Sequence, residues 1–474
     1  MRTFLFYDIE TTGLNTSFDQ ILSFAAIRTD TKLNEIARDS ITIKIRADIV
    51  PSPGAFITHR LTLDALAQGV CEYEGALKIH KIVNTPETVS IGYNSLGFDD
   101  EFLRFTFYRN LLEPYTHQYS NGCSRIDLLP IATLYRVIRP QIIRWPITDD
   151  GKPTLKLELI RKENQFMASA PSHNAMADVE TSIELAKHLI KEEKIWQFAL
   201  SLFDKNSEKL RFDKLFSQTS NNTPYPFAVM ISHKFGADST YIAPVIGIGR
   251  SYHYLNQTLW IRLDNDIFSS SEMPFAIRKK DGEIGIILPP RFKDLLSKEQ
   301  IDLCDKNLSI INHNQESRAI FDKAVEYHRQ FKYPLVPEAD LDSLLYQSDF
   351  FSRLEKNEIE RFHRASLEQK VQMVKNLNPC RVKDIATRIL FRNYLNNNSV
   401  FDLVSKDYET YMELVRCSID DPDFNTKKIV GFRQDERLVP QKAIEELKII
   451  CNTKELDSEQ QEILKWLEKY ILSI

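Results

Sequence analysis

The chain has 474 residues, of which 43% are hydrophobic, and carries a formal net charge of −5. That size accommodates two to four domains with more than one sizeable core, and the composition excludes a disordered, fibrous or membrane-spanning chain. The acidic balance excludes a uniformly basic nucleic-acid binder but not a basic track inside a cleft, because net charge is an average over the surface.

No signal peptide is expected, because Asp8 interrupts the short opening apolar run, and no apolar stretch is long enough to span a bilayer. Cysteines stand at 71, 123, 304, 380, 417 and 451 without a CxxC pair. Such spacing points to reduced thiols in a cytosol rather than a disulfide scaffold or a zinc site.

Residues 1–197 alternate strand and helix signals. "TFLFYDIE", "QILSFAAIRTD" and "SITIKIRA" read as three successive strands of an antiparallel meander. "LTLDALAQGV" and "EYEGALKIHKIV" read as helices, "ETVSIGYN" as a strand, and "DDEFLRFTFYRNLL" as a helix entered through a loop. The stretch "HNAMADVETSIELAKHLIKEEKIW" predicts one long amphipathic helix, with Met176, Val179, Ile183, Ala186 and Leu189 on its apolar face. This is the pattern of an α/β domain with a mixed sheet.

Residues 198–345 change texture. "PFAVMISHKF", "STYIAPVIGIG", "TLWIRLD" and "EIGIILPPRFK" are short strands between turn residues, a small β-rich unit with one helix at "RAIFDKAVEYHRQF". From 346 to 474 the chain reads as nearly all helix, in segments such as "FFSRLEKNEIERFHRA", "VKDIATRILFRNYLN" and "SEQQEILKWLEKYIL". The expectation is therefore an α/β multi-domain protein in three units, 1–197, 198–345 and 346–474.

Asp8 and Glu10 close the first apolar run with one Ile between them. Residues i and i+2 of a strand project to one face, so both carboxylates point together with Phe6. For such a pair alone, a solvated strand end is the commoner arrangement. Asp99, between a strand and a helix, is by itself more often a helix cap than a ligand. His173 and Asp178 are five apart, about 500° of helical rotation, so they converge only if His173 precedes the helix and Asp178 lies on its first turns. A capping loop with a surface His is the competing arrangement.

Together these residues suit one chemistry. Two divalent metals about 3.5–4 Å apart stabilise the attacking and leaving oxygens of a phosphoryl displacement. Hard cations such as Mg²⁺ take carboxylate oxygens. A nearby His can accept a proton from the attacking water at neutral pH. Four clustered carboxylates without cations would repel one another.

"DIETTG", "NSLGFD" and "HNAMAD" resemble the three motifs of the DEDD exonuclease superfamily, in the subgroup with His five residues before the last Asp. "FAAIRTD", "GYNSLGFDDEFLRFTFYRNLLEPY", "RIDLLP" and "SHNAMADV" further resemble the bacterial exodeoxyribonuclease I family, as does the order of the three regions. The resemblance implies an RNase H-like exonuclease domain, an SH3-like β-rich domain and a helical C-terminal domain. It implies metal ligands Asp8, Glu10, Asp99 and Asp178, with His173 as general base, and two Mg²⁺ ions that Mn²⁺ can replace. The implied reaction is 3′ to 5′ hydrolysis of single-stranded DNA to 5′-mononucleotides, in DNA repair and recombination. The implied partners are that DNA and the acidic C-terminal tail of the single-stranded DNA-binding protein, met by a cytoplasmic monomer.

Substrate contacts are expected at Glu10, Thr11 and Leu14 beside the terminal nucleotide, and at Arg104, Tyr115, Tyr119 and Lys156 along the strand. Tyr119 stands where the family often has Trp, which keeps stacking. Lys156 stands where the family tends to place Arg, which keeps the charge but loses the bidentate fork. Leu14 covering core is an equally good alternative. Two rival functions remain at this stage. One is an RNA-trimming or proofreading exonuclease of the same superfamily, whose short RNA-trimming members lack the two downstream regions. The other is a non-catalytic single-strand-binding scaffold, against which the intact acid set argues.

Overall fold

The computed structural model describes residues 2–167, 174–217, 219, 224–268 and 273–474. The first sheet contains β1 (Thr3–Thr11), β2 (Ile21–Thr29), β3 (Glu35–Thr42), β4 (Thr88–Gly92) and β5 (Ser124–Asp127), in the order β3-β2-β1-β4-β5. β1, β2 and β3 form the antiparallel meander, while β4 and β5 continue the sheet parallel to β1.

β1 is central, and its two faces divide by parity. Phe4 and Phe6 join a core with Val179 and Ile183 of the helix Ala175–Leu189. Leu5, Tyr7 and Ile9 join the opposite core with Ala76 and Ile79 of the helix Glu72–Val83, and with Phe102 of the helix Asp99–Arg109. Each buried Phe contributes about 1.5–3 kcal/mol by leaving water. The even face therefore carries Asp8 and Glu10 towards the helix that bears Asp178.

Three expectations need correction. The third strand is Glu35–Thr42, not 40–47. The Ile43 N–H still reaches the Leu22 carbonyl, but the Lys44 N–H goes to the Val70 carbonyl, so the chain leaves the sheet there. The long helix stops at Leu189, whose carbonyl accepts the Tyr135 hydroxyl at 2.7 Å, and a separate helix, Glu193–Ser201, carries Trp196 into the core. Instead of one helix, the β-rich region holds Lys205–Phe216 before its strands and the successive helices Lys298–His313 and Gln315–Gln330 after them.

The second sheet is antiparallel throughout. It contains β6 (Phe227–Ile231), β7 (Ile242–Arg250), β8 (Gln257–Arg262), β9 (Ala276–Lys280) and β10 (Ile286–Leu288), in the order β10-β6-β7-β8-β9. One face packs Ala228, Met230 and Trp260 on Phe212 and Leu215 of the helix Lys205–Phe216. On the other, Ile248, Leu259 and Ile261 cover Cys304 and Phe321 of the two later helices. Val229, Ile231 and Ile242 extend the core of the first sheet.

The C-terminal helices are not a separate body either. Phe18, Leu22, Phe56, Tyr73 and Phe105 share one apolar core with Phe362, Ile389, Leu390, Leu464 and Leu467. A buried ionic lattice lies beside it. Asp48 meets Arg46 at 2.9 Å, Arg392 at 3.2 Å and Arg437 at 3.3 Å, and Arg392 also pairs with Asp342 at 2.6 Å.

Candidate active site

β1 runs in register with β2 as far as Glu10 and slips before Thr11. The slip releases the chain into a loop and leaves Asp8 and Glu10 at the strand's end, half-buried on the face of the helix Ala175–Leu189. That helix starts at Ala175, because the Asn174 side chain accepts the Met176 N–H at 3.2 Å, and Asp178 lies in its first turn. Carboxylate oxygens of Asp8, Glu10 and Asp178 all lie within 4.8 Å of one another. Three acids distant in the sequence thus meet in one cluster.

Asp99 sits just outside that trio, buried at the first position of its helix. Its charge still reaches Asp8 and Glu10. Burial pushes the Asp99 carboxyl up to about 7, against hydrogen bonds from its own backbone and that of Ile9. Burial, then the charges of Asp178 and Asp99, push Glu10 up to about 9. Asp8 is raised well above the carboxylate range by burial and by Asp99, Glu10 and Asp178. Among the described residues, the charges that raise Asp8 are the carboxylates of Asp99, Glu10 and Asp178, an arrangement that a cation would relieve. An all-carboxylate donor set of this kind fits a hard divalent cation.

A residue to which the sequence reading gave no role holds the Asp99 side of the site. Asp127, fully buried at the end of β5, accepts the Asn94 N–H at 2.8 Å, the Leu96 N–H at 3.1 Å and the Leu129 N–H at 2.9 Å. It caps the helix Leu128–Ile138 and ties down the turn that leads to Asp99. That turn is tight. Asn94 has φ +65°, and a Cβ on Gly92 would collide with the Ser95 side chain. The available signal was an Asp immediately before "LLP", a strand-to-helix cap pattern.

The expected strand contacts divide. Leu14 is 80% exposed, so it does not cover core, and Tyr119 is 67% exposed. Lys156 is exposed at the start of the helix Leu157–Asn164. Tyr115 is half-buried beneath Arg104, 5.7 Å from guanidinium to ring centre. Thr11 is buried, its hydroxyl donating to the Gly13 carbonyl at 2.7 Å. Arg104, also expected along the strand, is enclosed by the fold. It is buried, and its guanidinium is committed to Glu101, to the Tyr346 hydroxyl at 3.1 Å and to Gln118 at 3.1 Å. His173 lies outside the described residues.

The RNase_T exonuclease family model matches residues 5–186, which hold all of these acids. Exodeoxyribonuclease I of Haemophilus influenzae is 35% identical over 266 residues, 55% of this chain and 54% of that protein. Exodeoxyribonuclease I of Escherichia coli is 39% identical over 210 residues, 44% of each chain. Over these stretches the chain is similar to exodeoxyribonuclease I. In these alignments it spans about half the length of the curated relatives. The solved E. coli Exonuclease I in complex with a 5cy-dT13 oligonucleotide superposes over 100% of this chain and 99% of its own, with a TM-score of 0.81 at 24% identity. The exodeoxyribonuclease I fold therefore extends across all three regions. No helix among the described residues is long and apolar enough to cross a membrane.

Proposed function

We propose that the protein is a Mg²⁺-dependent exonuclease that degrades single-stranded DNA from the 3′ end and releases 5′-mononucleotides. The observation that carries the reading is the trio Asp8, Glu10 and Asp178, three carboxylates within 4.8 Å, with the charges of Asp99, Glu10 and Asp178 all raising Asp8. With Asp99 they would hold two Mg²⁺ ions, replaceable by Mn²⁺. Such ions supply charge stabilisation for the attacking and leaving oxygens of an in-line displacement.

The chain's own residues do the rest. His173, two positions before the helix that bears Asp178, takes the proton of the attacking water. The water oxygen bonds to the last phosphorus. The bond from that phosphorus to the 3′ oxygen of the penultimate nucleotide breaks, and the terminal nucleotide leaves as a 5′-phosphate. Thr11 and exposed Leu14 flank the terminal nucleotide. Tyr119 offers a face for a base, and Lys156 a charge for a phosphate.

The same reading divides the chain at about 197 and 345 into exonuclease, SH3-like and helical domains, and places a monomer in the bacterial cytoplasm. It takes the acidic tail of the single-stranded DNA-binding protein as a partner. In support, one of the solved structures that share this fold is SSB/Exonuclease I in complex with inhibitor CFAM.

The test uses 3′-labelled and 5′-labelled single strands, a duplex and an RNA, each with Mg²⁺ or a chelator, and repeats them with Asp178→Ala. Mononucleotides should appear from single-stranded DNA only, and not in the variant. Equal digestion of duplex, or turnover in chelator, would overturn the proposal.

A further inference from the structure

The loop after Glu10 is held from the opposite end of the chain. Within it the bonds are local. The Asp19 carboxylate accepts the Thr12 hydroxyl at 3.0 Å and the Asn15 N–H at 2.8 Å, and Leu14 is left outward at the tip. Two further attachments come from the C-terminal region. The Asn15 side-chain amide donates to Asp435 Oδ2 at 2.6 Å. On the other flank the Thr12 carbonyl accepts the Ser52 N–H at 2.8 Å. The Ser52 hydroxyl and the Gly54 N–H in turn donate to Glu446 Oε1 at 2.9 and 3.0 Å.

Asp435 is itself set in a defined turn. Its carbonyl accepts the Gly431 N–H at 2.7 Å and its Oδ1 the Arg433 N–H at 3.2 Å, with Gln434 at φ +62° between them. A residue in that conformation costs free energy that the surrounding bonds must offset. One exposed leucine needs no explanation. A loop pinned on both flanks by carboxylates from a remote region has lost conformational freedom that a surface loop ordinarily keeps. Nor do those carboxylates suit direct contact with a polyanion, since like charges repel. Their effect on a strand must pass through the loop.

We infer that Asp435 and Glu446 are positioning residues that fix Leu14 against the 3′-terminal nucleotide, so that the C-terminal region takes part in recognising the strand's end. The inference rests on the single-strand exonuclease reading above. It adds that end selection is built by two regions of the chain.

The experiment compares the unaltered protein with Asp435→Ala, Glu446→Gln, Leu14→Ala and the double variant Leu14→Ala/Asp435→Ala. KM and kcat are measured on a linear single strand with Mg²⁺. Binding to linear and circular single strands of equal length is measured by fluorescence anisotropy in chelator. Asp435→Ala should raise KM about three- to tenfold, the equivalent of one ordinary net hydrogen bond, since the lost bond acts on the strand only through the loop. It should leave kcat nearly unchanged and lower the preference for the linear strand by a similar factor. In the Leu14→Ala background the same change should have no further effect. Asn15→Ala removes the bond from its other side and stands in if Asp435→Ala does not fold. Unchanged KM and linear preference in both Asp435→Ala and Glu446→Gln would overturn the inference, as would additivity with Leu14→Ala. A wild-type protein that prefers linear strands yet digests none would sink the exonuclease reading and leave this one standing. A wild type without preference for ends would overturn this one.

Discussion

Asp48 and Arg392 form an ion pair 3.2 Å apart with both side chains buried, joining the exonuclease domain to a helix of the C-terminal region. Arg46 and Arg437 crowd the same carboxylate. Asp48→Asn would leave three buried guanidiniums short of their shared anion. The expected cost is about 3–5 kcal/mol, typical of removing one partner from a buried pair. Urea unfolding of the two proteins checks it, with both regions expected to unfold in one transition.

Acid should act through the same lattice. Burial alone would raise the Asp48 carboxyl, but Arg46, Arg392 and Arg437 outweigh it and hold the group below the usual range. Arg392 and Arg388 do the same for Asp342, and Arg109 and Arg46 for Glu72. A folded pKa below the unfolded value of about 4 binds fewer protons in the native state. These groups therefore contribute their full stability above that value and lose it as pH falls towards their folded pKa. Melting temperature should drop steeply below about pH 4, and the gap between wild type and Asp48→Asn should narrow there.

Asp127 performs two tasks that one substitution separates. Serine is a good cap, so Asp127→Ser keeps the bond to Leu129 but has no second oxygen for Leu96. An unsatisfied buried N–H costs about 1–3 kcal/mol. The turn before Asp99 should loosen, and Mn²⁺ affinity, read by electron paramagnetic resonance, should fall about tenfold. Asp204→Ala, which removes a cap from a helix away from the acids, should lower stability and leave Mn²⁺ affinity alone.

Removing a member of the acidic trio should be more severe. Loss of partners outside a metal's ligand set commonly costs about 10–100-fold, and Asp178→Ala or Asp8→Asn should exceed that in both Mn²⁺ binding and turnover. Chelation should stop the wild-type reaction, and added Mg²⁺ should restore it. Calorimetric titration with Mn²⁺ gives the binding arm independently of activity.

The two-residue alternation of β1 made the inward pointing of Asp8 and Glu10 legible, because the same parity that sends Phe4 and Phe6 to the core carries both acids with them. The cap-and-first-turn pattern likewise placed Asp178. What stayed hidden depends on partners far off in the chain. β9 reads as charged, yet Lys279 is buried in it, because Glu208 of a distant helix meets its ammonium at 2.9 Å. β3 was misplaced because its first residues lie exposed at the sheet edge and show no alternation. Arg104 was expected as a strand contact, and its place in a buried network was not read. Its engagement with Tyr346 could not be read from a sequence in which that tyrosine is 242 positions away.

The apolar core shared by Phe18, Phe56 and Phe105 with Phe362, Leu390 and Leu467 has a practical corollary. Cutting the polypeptide after the β-rich region would strip a greasy flank bare on the N-terminal part and leave the helices nothing to cover. Such a fragment should clump rather than behave as a minimal nuclease. Evolution, like the protein engineer, would find it hard to graft this domain elsewhere without first repainting that surface.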